Sequence, residues 1–295
     1  MKKISIIAIV LFMGQSSWAQ IRDYQTTRLL STSGAGVASV LSTEAAVLNP
    51  SSAAFFEENT ASAQFFTPSL SKESDSRTSD FSKSAQHQGY FITDNDGPVK
   101  GGLTYITQKE NNLKRERMGM HAASMMGKNM AMGINYQYIQ DTFAPGTSPR
   151  RDFSHVVNAG FTYILAEDLI LGLVARDLTR TLKNEEKAIV GLQYSLTEKI
   201  NLIADYSFLY TKAYNKRFSW AVGTQLTLFK DFFLRGGLFE DQMQYFKGYS
   251  WGASWIGPRM GVEFAQRFSE QTDKGFYVYN GEKIVDTSFS LLIRF

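Results

Sequence analysis

Through most of the chain, apolar and polar side chains alternate with a period of two. The last stretch, IVDTSFSLLIRF (residues 284–295), puts Val285, Thr287, Phe289, Leu291, Ile293 and Phe295 on one face. Asp286, Ser288, Ser290 and Arg294 fall on the other, with Ile284 and Leu292 as apolar exceptions. In residues 130–140 the set Met130, Met132, Ile134, Tyr136 and Tyr138 opposes Ala131, Gly133, Asn135, Gln137 and Ile139. Residues 153–165, 169–176, 188–196, 200–210, 218–228, 249–255 and 260–268 alternate in the same way, Gln266 being a misfit in the last. A helix would repeat its apolar face at every third and fourth residue instead, so these are strands. Weaker segments at 60–69, 84–93, 99–109, 115–126 and 231–239 bring the count to about 14, each near the ~9–11 residues of a tilted strand crossing a bilayer.

A greasy face that runs to the final residue suits a barrel in lipid, where one side meets acyl chains and the other a lumen. The terminal Phe295 also resembles the C-terminal signal of bacterial outer-membrane barrels, which implies the barrel-assembly machinery as a partner. A soluble sandwich would explain one such strand; the connections argue against it. They are short at 95–98, 127–129, 166–168, 197–199, 229–231 and 257–258. They are longer at 71–83, 142–151, 179–187, 211–216, 240–245 and 270–283, with 110–114 a modest exception. Short periplasmic turns alternating with longer external loops are the habit of outer-membrane barrels, and an even strand count puts both barrel ends in the periplasm. The expected fold is all-β: a transmembrane, antiparallel, up-and-down barrel with a short N-terminal helical plug.

Residues 1–19 read as a signal peptide. Lys2 and Lys3 precede an apolar run, 4–13, and small residues stand at Ser17 and Ala19, so cleavage is expected before Gln20. The run is about half of the ~20 residues a spanning helix needs. Residues 20–59 do not alternate. The Ala- and Ser-rich part, 31–56, predicts one or two short helices, with Pro50 ending a helix at or before Asn49. The domain reading is thus a signal peptide (1–19), a hatch or plug (20–59) and a barrel (60–295). Pro68 marks a strand end or a bulge.

The parity that points apolar residues to lipid points Gly119, Gly133, Gly160, Gly172, Gly191, Gly223, Gly252 and Gly261 inward. Such a row leaves room for a plug or for a ligand path. Ile139, Val156, Ile164, Ile170, Val174, Ile189 and Ile203 point inward too, a mixture less polar than a general porin would carry. Inward charges are Arg176, Asp205, Arg217, Arg235, Glu263, Arg267, Asp286 and Arg294; the two signs predict pairing across the lumen.

Composition narrows the chemistry. There is no cysteine, which excludes disulfides and thiolate catalysis. A net charge of +3 with interspersed signs gives no nucleic-acid footprint. A mean hydropathy of −0.21 is compatible with a barrel, because only alternate residues face lipid. His87, His121 and His155 are the three histidines and none has a metal-ligand spacing; no G-x-S-x-G or Walker loop is present. No enzyme activity, cofactor or metal is expected.

The run Gly34, Ala35, Gly36, Val37, Ala38, then Glu44, Ala45, Ala46, Val47, Leu48, Asn49, Pro50, Ser51, Ser52, Ala53 resembles the start of the FadL/PorV-type outer-membrane barrels. That superfamily opens with a Gly/Ala-rich segment, an acidic-plus-Ala stretch and an Asn-Pro-Ala motif before about fourteen strands. The resemblance implies a hatch built around Gly34, Gly36, Asn49 and Pro50, and substrate exit through the wall. It implies an outer-membrane channel for small hydrophobic molecules, with outer-membrane lipid and a hydrophobic small-molecule ligand as partners. This chain departs from the transporters in being short, with brief outer loops and little from which to build a capture groove. The PorP/SprF secretion proteins, of similar length and with an early Asn-Pro, are a rival resemblance. The alternative function is therefore a non-transporting envelope barrel in a secretion system or surface attachment, with a secretion-system partner.

Overall fold

The computed structural model describes residues 21–40, 45–70, 85–110, 113–143, 150–182, 185–210, 218–272 and 283–295. The expected signal peptide and its cleavage site, Glu44 of the N-terminal motif and Arg217 lie outside them.

The strands are β1 (Thr60–Leu70), β2 (Gln86–Asp94), β3 (Val99–Glu110), β4 (Leu113–Met125), β5 (Met130–Phe143), β6 (Arg150–Ala166) and β7 (Leu169–Arg176). They continue with β8 (Lys187–Thr197), β9 (Ile200–Leu209), β10 (Phe218–Phe229), β11 (Phe232–Asp241), β12 (Phe246–Ile256), β13 (Met260–Gln271) and β14 (Lys283–Arg294). Each pairs antiparallel with the next. β1 closes the barrel on β14 in a register running from Thr60 opposite Arg294 to Leu70 opposite Ile284. Closure leaves no open edge, the condition for strands in lipid. Among the described residues no helix is long and apolar enough to cross a membrane.

Side-chain parity holds around the wall. On β14, Asp286, Ser288 and Ser290 are buried inside, while Phe289 (45% exposed) and Ile293 (49%) face out. The connections 95–98, 126–129, 167–168, 198–199, 230–231 and 257–259 gather at the end that carries Thr60 and the C-terminus. The register slips of the barrel fall beside three of these turns, at Ile164/Ala166, Ser195/Thr197 and Thr227/Phe229.

Two prolines act differently from a simple helix or strand stop. Pro68 lies within β1, but above Phe66, the last residue of β1 that pairs with β2. A missing N–H is cheap where one neighbouring strand is absent. Pro50 opens a 3-10 helix, Pro50–Phe55, and Asn49 is its N-cap. A proline at the first helical position gives up an N–H that would have had no partner there, so Pro50 starts a helix, while the helical turn at Ala45 has ended before Asn49, as expected.

β6 outruns β7: pairing between them begins at Ala159, leaving the outer part of β6 without that neighbour. The chain after β7 folds back over the gap. Leu178 N–H donates to the Val157 carbonyl (2.8 Å), and the Thr179 and Thr181 hydroxyls donate to that of His155 (2.7 and 3.0 Å). The Asp177 carboxylate accepts from the amides of Thr181 (3.2 Å) and Leu182 (2.8 Å), which tightens the turn and sends Leu182 onto Ile139 and Val156 of the inner wall.

Residues 21–40 and 45–56 run inside the barrel. A short helix, α1 (Thr27–Ser31), is capped by the Thr26 hydroxyl, which accepts from Leu29 N–H at 3.2 Å. Leu30 packs on Phe66 and Ala265, and Leu29 with Val37 and Leu48 on Val174 and Ile189. Tyr24 and Val47 meet Phe91 and Ile106, and the 3-10 helix sets Ala53 and Ala54 against Ala123 and Ala131. Burying a side chain such as Leu29 contributes about 1.5–3 kcal/mol to holding the segment in place.

Candidate functional site

The site is the lumen and the segment within it. Six of the eight inward glycines expected from parity touch that segment. A Cβ on Gly133 would lie 2.5 Å from the Pro50 carbonyl carbon and 2.6 Å from Ser51 N. One on Gly160 would strike Asn49 and Pro50; on Gly172 and Gly191, Val37 and Ala38; on Gly223, Thr32; on Gly252, Ser31. Gly119 and Gly261 meet only the wall. Together these glycines form a track on which the backbone of the segment rests, since close approach requires a missing side chain.

Asn49 is 1% exposed and uses its whole amide. Its Nδ2 donates to the Val37 carbonyl (2.7 Å) and to Thr162 Oγ1 (2.9 Å), while Oδ1 accepts from Ser51 N (3.2 Å) and Oγ (2.7 Å). It therefore ties the two arms of the segment to each other and to β6. Gly34 has a positive φ of 93°, which lets the chain turn sharply ahead of Gly36. Gly36 and Val37 donate their amides to one oxygen of Asp205, at 2.7 and 3.0 Å. Asn135 donates to the Ala46 carbonyl.

The charged residues sort into groups. Arg22 places one guanidinium nitrogen 2.9 and 3.0 Å from the two oxygens of Asp286, which also holds Arg267 (2.8 Å). Glu110 lies 3.4 Å from Arg22 and 2.9 Å from His87. Asp23 pairs with Arg176 (3.1 Å) and Lys187 (2.6 Å). Burial raises the Asp23 pKa, but Lys187 and Arg176 outweigh it and hold the carboxyl well below the usual range. Glu185, beyond the folded-back turn, meets Arg115 at 2.7 Å and Arg117 at 3.4 Å, and Arg115 also clasps Asp141. Burial pushes Glu185 up, and Arg117 and Arg115 bring it below its ordinary value. Arg235 reaches Glu263 (3.3 Å), and Arg294 pairs with Glu58 (3.1 Å).

Pairing thus runs to the N-terminal segment or to nearby strands rather than straight across an open lumen, because the segment fills the space between. Parity exposed Arg176, Asp205, Glu263 and Arg267 on the strong strands and Arg235 on a weaker one. Sequence reasoning missed Arg22, Asp23, Arg115, Arg117 and Glu185. Arg115 and Arg117 carry a signal, two arginines on one parity of β4; Arg22 and Asp23 carry none, since their segment has no period.

A cavity of about 100 Å³ remains between the segment and β7–β13. Arg22, Asp23, Arg176, Lys187, Asp205 and Asp241 line it beside Leu29, Val47, Leu48, Ile189 and Phe239. Among the described residues no group of three or more His, Asp or Glu side chains is placed to hold a metal.

A closed fourteen-stranded barrel, apolar outside and with polar residues paired inside, defines an outer-membrane β-barrel that spans the bilayer many times. No protein-family model matches the chain, and no curated protein matches its sequence. Solved structures do match it. The Ralstonia pickettii toluene transporter TbuX superposes with a TM-score of 0.68 at 11% identity, over 92% of this chain and 99% of that one. A Pseudomonas aeruginosa FadL homologue gives 0.64 at 10% identity, over 92% and 98%. The Pseudomonas putida toluene transporter TodX gives 0.65 at 9% identity, over 93% and 98%. The chain has the fold of the FadL-type outer-membrane barrels, and these structural neighbours are transporters or channels rather than enzymes.

Proposed function

We propose that the protein is a gated outer-membrane channel for small hydrophobic molecules, closed by residues 21–56 acting as a plug. The observation that carries this reading is the glycine track: eight lumen positions, the six above with Gly89 (against Tyr24) and Gly237 (against Thr32), forgo a side chain where the segment rests. The seat is held by many modest contacts, such as those of Asn49, each worth about 1 kcal/mol net, so it can be released without breaking strand pairing. Leu29, Val47, Leu48, Ile189 and Phe239 offer apolar wall to a small cargo once the segment shifts. Deleting residues 21–55 tests the gate. The barrel should still assemble and should conduct more than the parent in planar bilayers. An assembled deletion that conducts no better refutes the plug.

A second reading is favoured by the ion pairs of Arg22, Asp23, Arg115, Arg117 and Glu185, which crowd the lumen near its long-loop end. They suit an envelope barrel that passes nothing and serves a secretion or attachment partner. Uptake of a monoaromatic hydrocarbon separates the two. Cells carrying the full chain should accumulate it faster than cells without it; equal uptake with normal assembly leaves the second reading standing.

A further inference from the structure

The outer rim of the barrel, at the end of the long connections, has two unlike sides. On β11–β14 the outward row reads Glu240, Lys247, Glu270, Lys283, each opposite the next in register. Its signs alternate, so it neutralises itself. On β3–β6 the outward row reads Lys109, Lys114, Thr142, Arg151, again in direct register. Here Glu116, one step lower, is the one outward carboxylate among the described residues of β3–β6; it lies 3.0 Å from Lys114 and accepts from the Tyr105 hydroxyl at 2.7 Å. Among the described residues, three cations against one carboxylate leave surplus positive charge on this stretch of wall.

The rows beneath complete the picture. Two steps below the cations lies Tyr105, Met118, Tyr138, His155, an aromatic belt at the level where such rings mark the membrane–water interface. Below it, Leu103, Met120 and Ile134 stand 56–62% exposed, an apolar strip in the acyl region. Methionine is unbranched and adaptable, suited to chains of no fixed shape. At ~4.8 Å per strand the cationic row spans roughly 14 Å, wide enough for a headgroup with more than one phosphate.

We propose that Lys109, Lys114 and Arg151 form a binding site for the phosphorylated headgroup of an outer-leaflet lipid, whose acyl chains lie along Met118 and Met120. Arginine and lysine both serve as phosphate ligands, and basic residues at a membrane surface gather anionic headgroups. The site is open to the side, so free phosphate has no enclosure there; the acyl chains supply the rest of the attachment.

The full-length barrel in detergent tests this, with native mass spectrometry reading bound lipid. The probes are bis-phosphorylated lipid A, its dephosphorylated form and inorganic phosphate. The phosphorylated lipid should bind at least tenfold more tightly than the dephosphorylated one, and millimolar phosphate should not displace it. The Lys109→Gln, Lys114→Gln, Arg151→Gln variant should lose about a hundredfold, roughly fivefold per cation. A Lys247→Gln, Lys283→Gln variant should stay within about twofold of the parent, because its row is self-neutralised. Heat-modifiable gel mobility reports folding. If the triple variant fails to fold, Lys109→Gln and Arg151→Gln decide singly, each with about a fivefold loss expected. Unchanged binding in these variants, equal binding of the dephosphorylated lipid, or an equal loss in the Lys247/Lys283 variant overturns the site. Full displacement by inorganic phosphate overturns its assignment to a lipid.

Discussion

Adding one methyl group at Gly133 and one at Gly172 should unseat the N-terminal segment while leaving the barrel intact. At Gly133 the new carbon would stand 2.5 Å from a carbonyl carbon and 2.6 Å from an amide nitrogen. At Gly172 it would meet Val37 C at 2.7 Å and Ala38 N at 2.8 Å. All four atoms are backbone and cannot rotate away. Overpacking of this kind costs about 1–3 kcal/mol per site. The two sites touch arms that Asn49 ties together, so the costs are coupled and their sum, about 2–6 kcal/mol, is an upper bound. The ratio of seated to unseated segment should then fall by at most roughly 30-fold to 10⁴-fold, at about 1.4 kcal/mol per factor of ten. Strand pairing should not suffer, since alanine in a strand is no worse than glycine. Gly236→Ala is the control: it faces outward, and its nearest foreign atom would be 3.7 Å away. Open probability in planar bilayers and protease cleavage within residues 21–56 are the readouts. The reasoning fails if the folded double variant conducts and resists protease like the parent, or if Gly236→Ala opens the channel as much.

Three further outcomes are expected. Leu171→Arg or Leu192→Arg, paired on the lipid face, should each destabilise the barrel by about 2–4 kcal/mol, seen as loss of the heat-modifiable band; normal assembly would refute the register. Glu185→Gln should leave Arg115 and Arg117 short of a partner and loosen the folded-back turn by about 3–5 kcal/mol, read as faster amide exchange in residues 177–186; unchanged exchange would show that the ion pairs do not hold it. Asp23 and Glu185 have depressed native pKa values, so the stability they lend is present above about pH 4 and is lost as pH falls through those lowered values. These two carboxylates should therefore add a rise in conductance in acid below about pH 4 that an Asp23→Asn, Glu185→Gln variant lacks; an unchanged acid response in that variant would contradict this.

What the sequence determined by itself is whatever depends on parity and spacing. Which face of β14 meets lipid is settled by alternation alone, since successive side chains point to opposite sides. The rhythm of short and long connections then orders the strands and puts Thr60 and Phe295 at one end. What alternation could not supply is any contact of the aperiodic N-terminal segment. Nothing near Arg22 or Asp23 points to Asp286 or Lys187, more than a hundred residues away. The opening of a helix by Pro50, and the refolding of residues 177–182 over the unpaired end of β6, also follow from neighbours brought in by closure. A residue's face is a local property of a strand. Its partner across a closed barrel is set by how the whole wall curves and what fills the space inside, which only the tertiary structure decides.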